Sequence, residues 1–189
     1  MPRPAYWPAT PPELTDGVVR LRIATEPDID AIIAACQDPS IAYWTVVPSP
    51  YFREHAEHFV RSASIEYDAG TRIPYVIADA ATDQLIGSAG IHDIDLVACS
   101  GEAGYWLAPG WRGRGVAARA LRLQLGVAAA FGLRQVVLRI HRDNHPSQAV
   151  ARAAGCYDSG VTSSDLMHGE VREHMLWAAD VSPHWETTA

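Results

Sequence analysis

Leu107-Ala108-Pro109-Gly110-Trp111-Arg112-Gly113-Arg114-Gly115-Val116-Ala117 decides how this chain is read. An apolar run, Gly104 to Leu107, leads into it as a strand, and an amphipathic helix leaves it near Val116. A strand, a loop of glycine and arginine, and a helix N-terminus together make an anion cradle. Glycine adopts positive φ and lets a ligand approach the backbone. The first N–H groups of the helix lack intrahelical partners, and its dipole favours negative charge there. Arg112 and Arg114 add cations suited to phosphate.

Glycine spacing narrows the anion. Gly113-Arg114-Gly115 offers G-x-G, and Ala118 supplies a third small residue. A dinucleotide site also needs an acid about 20 residues on, and 133–140 read Leu-Arg-Gln-Val-Val-Leu-Arg-Ile. A Walker loop needs Gly-Lys, and the chain has no lysine. Charge agrees with a phosphorylated ligand. Tyr105 to Arg152 holds eight arginines and one acid, whereas the remainder holds seven arginines and 21 acids. The net charge of −7 argues against a nucleic-acid partner.

A chain of 189 residues, 48% hydrophobic and 20% charged, is expected to form one domain, here 17–180, with a Pro-rich arm at 1–16 and a polar tail at 181–189. Tyr6 and Trp7 point to docking of the arm. Cys36, Cys99 and Cys156 fit neither a metal pattern nor a disulfide framework, so a cytoplasmic setting and no metal are expected. No apolar run approaches the length of a membrane span, and none reads as a signal peptide.

Along the chain, Val18 to Ile23 alternates as a strand. Thr25-Glu26-Pro27-Asp28 starts a helix with Ile29, Ile32, Ile33 and Cys36 on one face, ended by Asp38-Pro39. Ile41 to Val47 reads as an aromatic loop or short extended piece. A second helix spans about 50–68; its His55 and His58 read as solvated or half-buried rather than as a zinc pair. Strands follow at 72–80, 85–94 and 102–107, then the helix with Val116, Ala120, Leu123, Val127 and Phe131 in its core stripe. Gln135 to Ile140 is a central strand, 144–155 a helix, 158–170 a loop and 171–179 a last strand. The fold class is mixed α+β, with about six or seven mostly antiparallel strands and helices on both faces.

Three stretches then carry a family resemblance. Gly104-Tyr105-Trp106-Leu107-Ala108-Pro109, the Arg/Gly loop, and Asp143-Asn144-x-x-Ser147 before a helix ending in Gly155 are similar to the GCN5-related N-acetyltransferases (GNAT), and to their branch that acetylates ribosomal-protein N-termini. Arg172-Glu173-His174-Met175-Leu176-Trp177 is similar to the closing strand. The resemblance spans about 15–180 and departs at Gly155-Cys156, where the family usually has Gly-Phe. It implies acyl-CoA, acetyl-CoA above all, in a V between strands 102–107 and 135–140. Tyr105, Trp106 and Leu107 would hold pantetheine through the backbone, Asn144 would bond the same arm, and the N–H groups of Arg112, Gly113, Arg114, Gly115, Val116 and Ala117 would hold pyrophosphate. Tyr43, Trp44, Tyr51 and the 158–170 loop would line the acceptor site. A homodimer through the late strands is a further implication.

Such transfer needs a proton acceptor for the amine, a donor to the oxyanion and a donor to the leaving thiolate. Glu102 is the best-placed acceptor, ahead of Glu170 and Glu173. A backbone N–H of 105–107 can serve the oxyanion. Ser147, or alternatively Tyr157, can serve the thiolate. The acidic body favours a cationic amine: a protein N-terminus first, then an aminoglycoside or other small amine. Arg72, Arg142 or His168 would be available to the carboxylate of succinyl-CoA. A non-catalytic acyl-CoA sensor is the reading of another class.

Overall fold

Alternating apolar residues build a sheet whose two faces bury two different cores. In the computed structural model, which describes residues 3–182, the strands are β1 (Leu14–Thr15), β2 (Val19–Arg22), β3 (Ile73–Asp79), β4 (Leu85–Asp95), β5 (Ser100–Leu107), β6 (Gln135–His141), β7 (Tyr157–Met167) and β8 (Glu170–Asp180). They form one sheet in the order β1-β2-β3-β4-β5-β6-β8-β7, antiparallel throughout except for β5–β6. The helices are α1 (Ile29–Cys36), α2 (Pro39–Trp44), α3 (Arg53–Asp68), α4 (Val116–Ala130) and α5 (His145–Ala154).

Tyr75, Ile77, Ala103, Leu107, Val136, Leu138 and Ile140 face one way, against Val116, Ala120, Leu121 and Val127 of α4 and Ala151 of α5. Val76, Leu85 and Trp106 face the other way, against Ile32 and Cys36 of α1 and Ala56 of α3. A strand's side chains alternate between faces, so every residue of β5 and β6 belongs to one side or the other.

The parallel pair is short. Ser100 pairs Gln135, Gly101 pairs Val136 and Glu102 pairs Val137; the two strands then run on to Leu107 and His141 without pairing. They part as a V whose vertex lies at Glu102. Gly101 is required just before it: a Cβ there would stand 2.8 Å from Ile91 Cγ2 and 3.2 Å from Leu133 Cδ1. Gln124, fully buried on α4, donates to Gly90 O and Gly104 O and so ties the helix to the backbone beside the opening.

Several expectations are corrected. The sheet has eight strands among the described residues rather than six or seven. Asp38-Pro39 does not merely end α1. Asp38 caps α2 by accepting from Ser40 N, with Pro39 in its first turn, so 39–44 is helix where a loop was expected. The segment 158–170 is mostly strand β7, paired to β8 through a two-residue turn at His168-Gly169 with φ of 51° and 84°. The arm is docked: Trp7 is 3% exposed and donates to Phe131 O, Tyr67 and Tyr75 donate to Pro8 O and Pro12 O, and β1 pairs with β2. From residue 183 on, the polar tail lies outside the described residues.

Candidate active site

The cradle sits where β5 delivers the chain to α4. Gly113 and Gly115 have φ of 74° and 73°, and a Cβ on either would meet nothing within 4 Å. The demand for glycine is therefore conformational rather than steric. Gly115 is the N-cap of α4 and no side chain caps it, which leaves the first-turn N–H groups of Val116, Ala117 and Ala118 as donors for an anion. The cation expected at Arg112 is engaged elsewhere. Its Nε donates to Leu107 O (3.1 Å), Nη1 to Ser40 Oγ (2.9 Å) and Nη2 to Asp38 Oδ1 (3.3 Å), so the side chain ties the loop to the start of α2. Arg114 lies over the Trp111 ring, 5.2 Å from its centroid.

On the α4/α5 side of the V, Tyr105 OH and Ser147 Oγ are 2.7 Å apart. Burial pushes the Tyr105 phenol up to about 12, against a downward pull from Ser147. Asn144 caps α5 through Oδ1, accepting from Ser147 N at 3.1 Å, which fixes the backbone that carries the serine. Cys156 is buried in the same core, and burial pushes its thiol up. Past the vertex, Tyr105, Trp106 and Leu107 have no strand partner on the β6 side. A flexible amide-bearing arm fits that edge as an added strand would.

The opposite face of the V is charged. Glu102 Oε2 accepts from Arg139 Nε at 2.7 Å, and its Oε1 lies 3.9 Å from His92 Nε2. Arg139 also reaches Asp165 (3.1 Å) and Asp93 (3.8 Å). His174 is 4% exposed; burial lowers its affinity for a proton despite Asp165 Oδ2 at 3.4 Å from Nδ1. Donor atoms of His92, Asp93 and Glu102 come within 4.8 Å of one another, but the Arg139 guanidinium already supplies the cation there. His141, at the open end of β6, stands with its ring 5.5 Å from that of Trp44 and 6.0 Å from that of His174.

Trp44 and Tyr43 thus bring α2 to the mouth of the V. Tyr43 is half-exposed and lines an open hollow of about 280 Å3 with Pro39, Ala42, Ser49, His168 and Arg172. The β7–β8 hairpin grips this helix: Arg172 donates to Tyr43 O, and His168 Nε2 lies 2.9 Å from Thr45 O. Two expected site residues belong elsewhere. Tyr51 is 8% exposed within the core of α1 and α3, because its ring supplies apolar area there. Tyr157 is exposed, and its hydroxyl donates to Asp180 Oδ2 at the Gln135 end of β6, away from the opening. Glu170 and Glu173 pair with Arg172 and Arg142, both at exposed positions. Arg139, His141, His174 and Gln124 escaped the sequence reading. The one signal was polar residues at alternate positions of a mostly apolar strand, Arg139 and His141 in β6; His174 in β8 stands among other polar residues and gave none.

A mixed sheet that splits after one short parallel pairing, with an uncapped glycine-led helix at the split, defines a CoA-dependent acyltransferase fold. Residues 19–157 match the family model described as the acetyltransferase (GNAT) domain, and the chain belongs to that family. No curated protein matches the chain. Solved structures of similar fold include Mycobacterium smegmatis RimJ in complex with CoA-disulfide (TM-score 0.78, 21% identity, 96% of this chain and 92% of that one). Vibrio cholerae spermidine N-acetyltransferase with CoA and spermine follows at TM-score 0.75 and 16% identity, covering 90% and 99%. Vibrio fischeri ribosomal-protein-S5-alanine acetyltransferase has TM-score 0.75 and 16% identity, covering 89% and 96%. Among the described residues no helix is long and apolar enough to cross a membrane.

Proposed function

We propose that this acyl-CoA-dependent N-acetyltransferase acts on the α-amine of a polypeptide; a protein acceptor is in keeping with the Vibrio fischeri relative, whose name is ribosomal-protein-S5-alanine acetyltransferase. The observation that carries the reading is the parting of β5 from β6 at Glu102, which puts a carboxylate at the vertex between two unlike faces. The thioester supplies the acyl group and a thiol leaving group. The chain does the rest. The N–H groups at the start of α4 hold the pyrophosphate, and the free edge of Tyr105–Leu107 holds the amide-bearing arm. Glu102 takes the amine proton on one face, and Ser147, oriented by Tyr105, donates towards the leaving sulfur on the other. Trp44 and Tyr43 line the approach of the amine.

Acetyl is the acyl group this reading favours. Each residue available to a succinyl carboxylate is engaged: Arg72 with Glu66, Arg142 with Glu173, His168 with Thr45 O. A polypeptide is favoured over a small amine because the hollow beside α2 is open and shallow rather than a closed pocket. A single domain, a homodimer and a cytoplasmic setting complete the proposal, the last in keeping with three free cysteines.

The test is calorimetric titration with acetyl-CoA and succinyl-CoA, followed by mass spectrometry of peptides, Nα-blocked peptides, spermidine and an aminoglycoside after incubation with acetyl-CoA. Acetylation of free peptide N-termini alone is expected. Modification of spermidine or the aminoglycoside alone would move the substrate class to small amines. Tight binding with no transfer to any amine would make the protein a sensor.

A further inference from the structure

We propose that Arg139, shared with Asp165, is a positioning residue that orients Glu102 as proton acceptor. This rests on the reading of Glu102 given above. An arginine in the middle of a central strand is unusual, since such strands are buried on both faces and read as apolar runs. In β6 it follows Val136, Val137 and Leu138, and only a specific partner justifies its place.

Its geometry divides one guanidinium among three carboxylates. Nε meets Glu102 Oε2 through a single bond of 2.7 Å, Nη1 meets Asp165 Oδ2 at 3.1 Å, and Nη2 lies 3.8 Å from Asp93 Oδ2. A bidentate clamp on Glu102 would hold both oxygens. Here the contact runs through Oε2, and Oε1 lies 3.9 Å from His92 Nε2. Asp165 draws the guanidinium charge the other way, so the pairing fixes the orientation of Glu102 without monopolising its charge. The groups facing Glu102 from the packed elements are His92 and Asp93 of β4, Arg139 and His141 of β6, Asp165 of β7 and His174 of β8, with Arg172 of β8 cross-strand from Asp165. Among these, only Arg139 touches both Glu102 and Asp165 within 3.2 Å. His174 stands behind Asp165, buried, and burial lowers its affinity for a proton, whereas Arg139 is the arginine in direct contact with Glu102 and Asp165.

The signs are opposite for the two partners. Loss of Arg139 removes the positive neighbour of the Glu102 carboxylate. The acid limb of the kcat profile is then expected to move to higher pH. Loss of Asp165 strengthens the remaining pair and moves that limb to lower pH.

The experiment measures kcat and KM for acetyl-CoA against pH in the full chain and in Arg139→Gln, Arg139→Lys and Asp165→Asn, with thermal melts alongside. Carbon-13 NMR follows the Glu102 carboxylate in the same proteins, assigned by Glu102→Gln. Expected are a fall in kcat of about tenfold or more in Arg139→Gln with KM for acetyl-CoA kept, partial return in Arg139→Lys, and opposite movements of the limb in Arg139→Gln and Asp165→Asn. The NMR titration of Glu102 should move the same way. A loss of kcat with an unmoved limb and an unmoved Glu102 titration would reduce Arg139 to a structural ion pair and overturn the proposal. The NMR titration does not depend on turnover. If Glu102 responds as stated while no amine is acetylated, the acceptor reading fails and the Arg139–Asp165 control of Glu102 stands.

Discussion

Tyr105→Phe separates two roles that the structure places 2.7 Å apart. The phenol and the Ser147 hydroxyl share one hydrogen bond, partly buried, between neutral groups. Such a bond contributes about 0.5 to 1.5 kcal/mol net. If Tyr105 only orients Ser147, its loss frees the serine rotamer and lowers kcat roughly 2- to 13-fold. If Tyr105 itself gave the proton to the leaving sulfur, the loss would be about 100- to 10,000-fold. Ser147→Ala is expected to be the more severe change, because it removes the donor itself and leaves the buried phenol only a long contact of 3.4 Å to the residue-147 carbonyl. The phenol is held near 12 by burial, above the ordinary value of about 10, so it stays protonated throughout the working range and should add no alkaline limb below that value. The assay follows release of the free CoA thiol with a disulfide reagent at saturating acetyl-CoA. A loss beyond about 100-fold in Tyr105→Phe, with Ser147→Ala milder, would refute the orientation argument and assign the proton to the tyrosine.

Asp28→Ala should cost about 1.5 to 3 kcal/mol in urea unfolding, because it removes both bonds of 2.7 and 2.9 Å to Arg22, which is 8% exposed and is left with Asp83 (3.0 Å) and the Ile23 carbonyl. Burial would raise the Asp28 carboxyl, but Arg22 and Thr25 outweigh it and hold it below the ordinary carboxylate range. Its contribution is therefore complete at neutral pH and is lost as pH falls through that lowered value, which acid unfolding of the wild type should show and Asp28→Ala should lack. Gly115→Ala adds a methyl that meets nothing but forces φ of 73° on alanine, a strain of about 1 to 2 kcal/mol. Calorimetry should show acetyl-CoA affinity falling by roughly tenfold as the cradle relaxes, whereas an unchanged affinity would remove the cradle from the site.

The sequence made the loop, the strand–helix alternation and the long helices legible because their signals are local. Gly113, Gly115 and the stripe of Val116 and Ala120 announce themselves within a few residues. Asp38-Pro39 was ambiguous for a physical reason: the same pair that stops one helix caps and starts the next. β7 hid because Tyr157 to Thr162 are exposed on both faces, so period-two burial is absent, and because His168 rather than asparagine takes the positive φ of its turn. Tyr51 was misplaced for want of a signal. An aromatic residue in a loop looks alike whether it lines a site or fills a core. The Tyr105–Ser147 pair and the Glu102–Arg139–Asp165 row join residues dozens of positions apart, and only the sheet register brings them together.

That register also explains why the site is divided. Glu102 and Tyr105 are three residues apart on one strand, so their side chains leave opposite faces of the sheet. Tyr105 goes to the side of α4 and α5, where Ser147 waits; Glu102 goes to the side of α1, α2 and α3, with Arg139, His141 and Trp44. In a continuous sheet the paired backbone of β5 and β6 would wall these two sets of groups apart. The failure of the parallel pair to continue beyond Glu102 and Val137 opens that wall at one point only. A thioester arriving along the free edge of β5 and an amine arriving past α2 can then meet across the opening. In the proposed reaction each would meet the group suited to it: a hydroxyl for the departing sulfur, a carboxylate for the amine proton. The short pairing of three residues is thus the feature from which the division of labour follows. In the proposed reaction the start of α4 would receive the phosphorylated substrate and the open hollow beside α2 the amine.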